Sequence, residues 1–410
     1  MTAVSTVTSE RDSALHMQAA QRAARTPNTV AVRAKKLGIW QQTSWAELDG
    51  ERQLIAHGLA DLGVGAGDRV AILAGNRPEW VYAELSALSL RAVFVGVHPE
   101  TTGTALEQML NDAAVRVLIA EDQEQVDKAL DTGCPRLRWI VHLEDRGIKD
   151  YSDPRLISYT ELRERGERHR SAHPDLPDAE QLPDDVVALV FPPGIGLDDP
   201  SPAQLRGSDI AAATTALRAA IPGLGPHDVV LPGLSLAEPA ERAVTVWASV
   251  TCGAVLHFAE SYATLAADLA EVQPTVRLAP AAGWQRIFSG IENRMSTASW
   301  FKRGCYRLTA QTADRIAAQR NRGPRARLMY AAGYLASGRA LRDKLGLRKT
   351  RAAFWSIAIP GTALPHDIPP DPDTAAFFLG LGVPITRVRA AVPAARTDAS
   401  DPTANPDTTA

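Results

Sequence analysis

The sequence predicts an α/β fold of two stacked, doubly wound subdomains, with a small β-barrel-like element made by segments of both. Two observations carry that prediction. Short apolar runs such as Val70–Leu73 alternate with helix-periodic segments along most of the chain, the pattern of parallel strands joined by helical crossovers. The balance of 45% hydrophobic to 22% charged residues over 410 positions supplies a core for such a body and excludes a disordered chain or a coiled-coil rod. The elements divide into an N-terminal segment (1–24), a first subdomain (25–182), a second (183–388) and a disordered Pro/Ala/Thr/Asp-rich tail (389–410).

In order along the chain, residues 38–60 read as a short extended piece and a helix, with Ser44 as N-cap and Glu47 completing a capping box. Gly63, Gly65 and Gly67 invite a phosphate-loop reading, but they precede the apolar run, whereas a dinucleotide fingerprint must follow a strand and open a helix. A turn into a buried parallel strand is the better reading. Helices near 77–90, 104–113 and 122–130 then alternate with the strands RAVFVGV, VRVLIAE and LRWIVHLE. Residues 143–183 are charged and polar, with SAHPDLPDAEQLPDD as a connector and His169 and His173 read as solvated linker residues. His169 and His173, four apart, have helical metal-ligand spacing but are followed by Pro174 and lack a third ligand.

A second alternating section follows. DVVALVF, DVVLPGLSL, AVLHFA, TVRLAP and RAAFWSIAI are its strands; GSDIAAATTALRAAI, ERAVTVWASVTC and ESYATLAADLAEV are its helices. Residues 284–345 form a long basic, aromatic-rich helical stretch, read as inward-packed aromatics under solvated basics or as a peripheral membrane contact.

Lys and Arg number 44 against 47 Asp and Glu, which leaves no basic excess for nucleic acid, and none is expected as a partner. Cys134, Cys252 and Cys305 are scattered and odd in number, so no disulfide framework or zinc site is expected, and no metal. The N-terminal stretch holds no apolar run of signal-peptide length, and a cytoplasmic location is expected. His98 and His257 have no evident carboxylate partner for acid–base work, and Cys252 reads as a buried, inert thiol.

SWAELDGERQLIAHGLADLGVGAGDRVAILAGNRPEWVYAEL, GVHPETTGTALEQMLNDAAVRVLIAEDQEQ, LSLAEPAERAVTVWASVTCGAVLHFAESYATLAADLAEVQPTV and RALRDKLGLRKTRAAF, in this order, resemble the adenylate-forming (AMP-binding) enzymes, most closely their long-chain fatty-acid–CoA ligase branch. The resemblance spans about residues 20–388. It implies the acyl-CoA synthetase N-terminal fold, and an activity that joins a carboxylate to AMP and then to coenzyme A.

The site positions that the resemblance designates depart from the family pattern. Where the family has YTSGTTGxPKG for the ATP phosphates, this chain has Phe191, Pro192, Pro193, Gly194, Ile195, Gly196, Leu197, Asp198 and Asp199, without the lysine and with added negative charge. Glu238 stands for the acyl-pocket histidine of LPLAHxxER. Ser356, Ile357 and Ala358 stand for the small adenine-contacting residues of SGAAP, with Trp355 preceding them. After LGVPI, Arg389 and the residues to Pro393 stand where YGxTE is expected, and the tail follows, so the ribose aspartate, hinge and small C-terminal domain are expected to be absent.

These departures lead to the expectation of a pseudoenzyme, with no catalytic residue and no cofactor, that acts as a binding or regulatory partner through an acyl ligand or another protein. The alternative is a long-chain fatty acid–CoA ligase, active alone or completed by a partner, using ATP, Mg and CoA. Proline at positions 192, 193 and 200 and the two aspartates make the phosphate loop the centre of that contrast.

Overall fold

The computed structural model describes residues 14–174, 179, 181–191, 202–297, 338–359, 362 and 368–389. Its strands are β1 (Val30–Lys36), β2 (Ile39–Ser44), β3 (Arg69–Leu73), β4 (Val93–Val97), β5 (Val117–Ala120), β6 (Trp139–His142), β7 (Leu156–Ser158), β8 (Val186–Val190), β9 (Ala203–Arg206), β10 (Val229–Val230), β11 (Val255–Phe258), β12 (Val276–Leu278), β13 (Ala352–Ala358) and β14 (Ile385–Arg389). The helices are α1 (Leu15–Arg25), α2 (Trp45–Asp61), α3 (Pro78–Ser89), α4 (Gly103–Asp112), α5 (Gln123–Leu130), α6 (Tyr159–Ala172), α7 (Gly207–Ala220), α8 (Pro239–Arg242), α9 (Ala248–Cys252), α10 (Leu265–Val272), α11 (Ala281–Ser296), α12 (Arg339–Lys344) and α13 (Pro372–Gly380), with a π-helical turn at Ala243–Trp247 between α8 and α9.

The first sheet has the order β7-β6-β5-β3-β4-β8-β9, parallel except for β9. Its central strands are buried on both faces, which is why they read as unbroken apolar runs and not as alternating ones. A second layer has β10-β11-β1-β2 and, beside it, β12-β13-β14. These two pieces meet at Thr275, whose N–H donates to the Val229 carbonyl (2.9 Å) and whose Oγ1 donates to Asp228 (2.8 Å). Arg351 closes the seam with two bonds to the Asp228 carboxylate, 2.8 and 2.7 Å. The described strands thus form open doubly wound sheets, the α/β class expected. The sheets exchange strands across residue 182: β8 and β9 complete the first sheet, while β1 and β2 belong to the second.

Local rules explain the elements that the sequence made plain. Glu47 N donates to Ser44 Oγ and the Glu47 carboxylate accepts from Ser44 N (2.8 Å), the reciprocal capping box. Gly63 (φ +81°) and Gly67 (φ +77°) turn the chain into β3, as a structural turn and not a phosphate loop.

The polar stretch 143–183, in which the sequence signals no element, contains β7 and the fourteen-residue α6, and this places His169 in a helix and not in a linker. That helix buries only Leu162 and Gly166, too narrow a stripe to stand out among its charges. It lies so close to α2 that a Cβ on Gly166 would meet the Leu54 carbonyl oxygen at 2.1 Å. His169 is therefore no linker residue: its Nδ1 lies 3.0 Å from that of His57 on α2, and its ring stacks on His173 at 4.5 Å.

Candidate functional site

The site is built where the carboxyl ends of the strands of one layer approach the other. The NRPEW turn fixes the approach. Pro78 occupies the first position of α3, and Trp80 is buried with its indole N–H on the Ala74 carbonyl (3.2 Å) and its ring edge-on to Phe94. Asn76 then bridges the layers: its Nδ2 donates to the Leu234 carbonyl (2.7 Å) and its Oδ1 accepts from Leu236 N (2.9 Å). Gly96 on β4 completes the approach, because a Cβ there would lie 2.9 Å from the Trp80 ring and 3.2 Å from Cα of Ala237.

The segment held in this way carries Glu238, half-buried at the N-cap of α8, which packs against β13. Two buried acids secure it from behind. Glu241 accepts from Leu234 N (3.0 Å); burial pushes its carboxyl up to about 8, against the pull of backbone N–H groups of Leu234 and Gly233 and the charge of Arg277. Glu84 on α3 accepts from Arg242 NH1 (3.2 Å) and from Trp247 Nε1 (3.0 Å), with both ionic side chains essentially out of contact with water. The guanidinium also lies over the rings of Phe94 and Trp247. These residues were missed as functional supports. The sequence signal was the Glu-Arg pair of LSLAEPAER, in which Glu241 holds Leu234 of the same segment and Arg242 finds its partner Glu84 158 residues away.

The expected adenine segment lies on β13, between β12 and β14. Its register with β14 jumps between Phe354 and Ser356, which leaves Trp355 as the extra residue of a bulge. The bulge turns the indole toward the cluster of Trp284, Phe377 and Phe378 and under Arg387, 5.7 Å from the ring centroid. Ile357 is fully buried in the main core, and Ala358 is partly buried. Ser356 is buried, and its Oγ has no hydrogen-bond partner among the described residues. An orphaned hydroxyl at this place fits a nucleotide that brings its own donors and acceptors.

Pro193, Gly194, Ile195, Gly196 and Leu197 lie outside the described residues, as do Asp198 and Asp199. The strands that flank them are paired antiparallel, Val190 opposite Ala203, so both ends of the loop are fixed at one sheet edge. Residues 298–337 of the basic stretch and the tail from 390 are also outside.

The remaining residues singled out have structural surroundings. Burial pushes the His257 imidazole down to about 4, and its ring packs edge-on to Trp40. His98 lines a cavity of about 490 Å³ with Gly75, Glu121, Leu234, Ser235 and Tyr262, at the ends of β3, β4 and β5 and just before Glu238. Cys252 is buried and accepts from Arg218 Nε at 3.2 Å. Among the described residues no group of three His, Cys, Asp or Glu is arranged to hold a metal ion, and no helix is long and apolar enough to cross a membrane.

Residues 19–340 match the family of AMP-binding enzymes. The chain belongs to that family. Among its curated AMP-binding relatives, fatty acyl-CoA synthetase A of Dictyostelium discoideum is 25% identical over 275 residues, covering 65% of this chain and 40% of that protein. Long-chain-fatty-acid–CoA ligase FadD15 of Mycobacterium tuberculosis is 27% identical over 323 residues, 77% of this chain and 50% of that protein. The chain spans about half the length of the curated relatives it matches.

Among solved structures, a long-chain-fatty-acid-CoA ligase (FadD1) from Archaeoglobus fulgidus superposes with a TM-score of 0.57 at 17% identity, over 69% of this chain and 54% of that one. The N-terminal domain of FACL13 from Mycobacterium tuberculosis does so with 0.53 at 20%, over 67% and 64%. These likenesses show the fold of an adenylation N-terminal domain. Membership in an AMP-binding family whose matched relatives are CoA ligases overturns the expectation that no cofactor is used, and ATP and CoA are the co-substrates this kinship implies.

Proposed function

We propose that this chain is the body of an ATP-dependent long-chain fatty acid–CoA ligase. Its reaction joins a fatty-acid carboxylate to AMP with release of pyrophosphate and passes the acyl group to the thiol of CoA, releasing AMP. The observation that carries the reading is the set of supports around Glu238: Asn76, Gly96, Glu241 and the Glu84–Arg242 pair all fix one loop between β4 and β13. A fold with no use for this loop would have no reason to bury three carboxyl and guanidinium groups behind it.

In this reading Ser356 Oγ borders the adenine with Ala358 beside it, while Ile357 anchors the strand in the core. ATP supplies the activated phosphoryl centre and the leaving pyrophosphate. The chain's own residues position the carboxylate and exclude water from it. Glu238 lies at the acyl position and sets the cost of an ionised substrate there. At about 5 Å and an effective dielectric near 20, two carboxylates repel by roughly 3 kcal/mol.

That repulsion favours a second reading, a non-catalytic acyl-binding or regulatory partner. The two separate in ATP–pyrophosphate exchange with a panel of saturated fatty acids, followed by acyl-CoA formation, for the wild type and Glu238→His. Fatty-acid-dependent exchange, raised in the histidine variant by up to about 100-fold as the repulsion is removed, is expected. No exchange from either protein, with fatty-acid binding intact by calorimetry, would refute the ligase reading and leave the second.

A further inference from the structure

Among the described residues, three of the five large apolar side chains that stand most exposed lie at one place. Leu37 (85% exposed) and Ile39 (69%) occupy the tip of the β1–β2 hairpin, and Tyr262 (85%) is in the adjoining loop, which is joined to the tip by Gly38 N donating to Glu260 (3.1 Å). Lys36 pairs with Ile39, so the turn is the two residues Leu37 and Gly38, both with positive φ (+50° and +76°). This two-residue turn with both φ positive favours Asn-Gly or Asp-Gly.

A leucine there is strained and gains nothing from burial. The other non-glycine residues with positive φ, Arg91, Ala114 and Gln273, end or closely follow helices, where a left-handed residue is an ordinary terminator. The tip is also rigid. Lys35 bonds to Asp268 and Glu271, and Trp40 Nε1 donates to Glu271 (2.8 Å), which pins both strands to α10.

We propose that the tip formed by Leu37, Ile39 and Tyr262 is a membrane-surface anchor that seats in the headgroup–hydrocarbon boundary of a lipid bilayer. The three side chains offer roughly 400 Å², about half of what one partner contributes to a stable protein interface. The patch is small enough for shallow insertion and too small for a lasting protein contact. Its flanks have an interfacial composition, exposed Lys36 beside the apolar tip and Trp40 behind it. Of the exposed acids nearby, Glu271 is ion-paired with Lys35 and Glu260 accepts from Gly38 N, so both are engaged at the base of the tip. Tyr262 also lines the 490 Å³ cavity that reaches Leu234 and Ser235, so the anchor sets the mouth of that cavity at the lipid surface.

The test is flotation of the full-length protein with phosphatidylcholine vesicles, and with vesicles containing phosphatidylglycerol, without nucleotide or fatty acid, so that its outcome is independent of any ligase activity. The wild type is expected to float with both, and to remain bound in about 1 M salt, where the Debye length is ~3 Å. Leu37→Asn with Ile39→Thr and Tyr262→Ser is expected to lower the bound fraction at least about tenfold. Ile368→Thr, which removes an exposed isoleucine elsewhere, is expected to leave it unchanged. Because asparagine suits the turn better than leucine, Leu37→Asn alone is expected to lower binding without lowering the melting temperature. The proposal is overturned by a wild type that stays at the bottom of the gradient, or by a tip variant that floats equally well. It is also overturned by binding that salt abolishes, which would point to the basic stretch 284–345, or by a wild-type dimer that the tip variant converts to monomer.

Discussion

Replacing Glu84 by leucine removes the carboxylate that is ion-paired with Arg242 and leaves only the more distant charge of Glu238; the Glu84 and Arg242 side chains are almost fully buried, at 2% and 0% exposure. Burial pulls the Arg242 guanidinium down, opposed by Glu84, yet an arginine in a protein stays protonated. Glu84→Leu therefore leaves a buried charge between Phe94 and Trp247 without its hydrogen-bonded ion-pair partner, and it also takes the acceptor from Trp247 Nε1. Breaking such a pair costs about 3–5 kcal/mol, whereas replacing both members by apolar groups of similar volume is close to neutral.

Glu84→Leu is thus expected to lose about 4 kcal/mol, Arg242→Met a similar amount, and the double variant less than either, a coupling of at least about 3 kcal/mol. Urea denaturation followed by tryptophan fluorescence and by circular dichroism measures all three, with fatty-acid binding recorded for each that folds. Additive losses, or a single variant that costs under about 1 kcal/mol, would show that the pair is no support for the Glu238 loop and would undo the argument that joins it to function.

Three smaller tests follow from the same geometry. Gly166→Ala gains about 1 kcal/mol of helix propensity but drives a Cβ into the Leu54 carbonyl, and backbone atoms cannot give way as a side-chain tip can; a net loss of about 1–3 kcal/mol in the urea midpoint is expected, and a gain would refute the close packing of α6 on α2. Ser44→Ala removes one half of the capping box at α2 and should cost about 1 kcal/mol by the same measurement. The folded carboxyl of Glu241 is raised from 4.5 to about 8, so its contribution to stability is fully present below about pH 4.5 and is lost as pH rises through 8; the melting temperature should fall between pH 5 and 9, and fall less in Glu241→Gln. Equal slopes in the two proteins would show that Glu241 does not titrate late.

What the sequence made legible was local. Ser44 and Glu47 lie three residues apart, and β3, β4 and β5 announce themselves because both of their faces are buried. Long-range pairing was not legible. β1 lies parallel to β11, with Val32 opposite Leu256, and nothing within seven residues of β1 encodes that choice. α6 escaped notice because a helix that packs through a glycine against another glycine-bearing helix needs almost no apolar stripe. The supports of the candidate site were equally hidden, since Asn76 and Glu84 become meaningful only once Leu234, Leu236 and Arg242 are brought to them.

The same limit bears on how the altered site positions are weighed. By position, Trp355 looks like a bulky side chain pushed into the adenine segment. The strand answers it with a bulge, and the indole leaves toward Arg387 and the Trp284 cluster. Size at that position therefore does not by itself fill the site, and Ser356 keeps a hydroxyl with no partner among the described residues. Glu238 is different, because no change of register removes a charge: wherever its carboxylate points at the N-cap of α8, it remains within electrostatic range of Glu241 and Arg242. A histidine there would make the acyl position permissive, whereas a carboxylate penalises an ionised substrate by a few kcal/mol unless it is protonated. Among the described site positions, the question whether this body activates fatty acids thus turns on the charge of one residue, on a loop held in place by Asn76, Gly96, Glu241 and the Glu84–Arg242 pair.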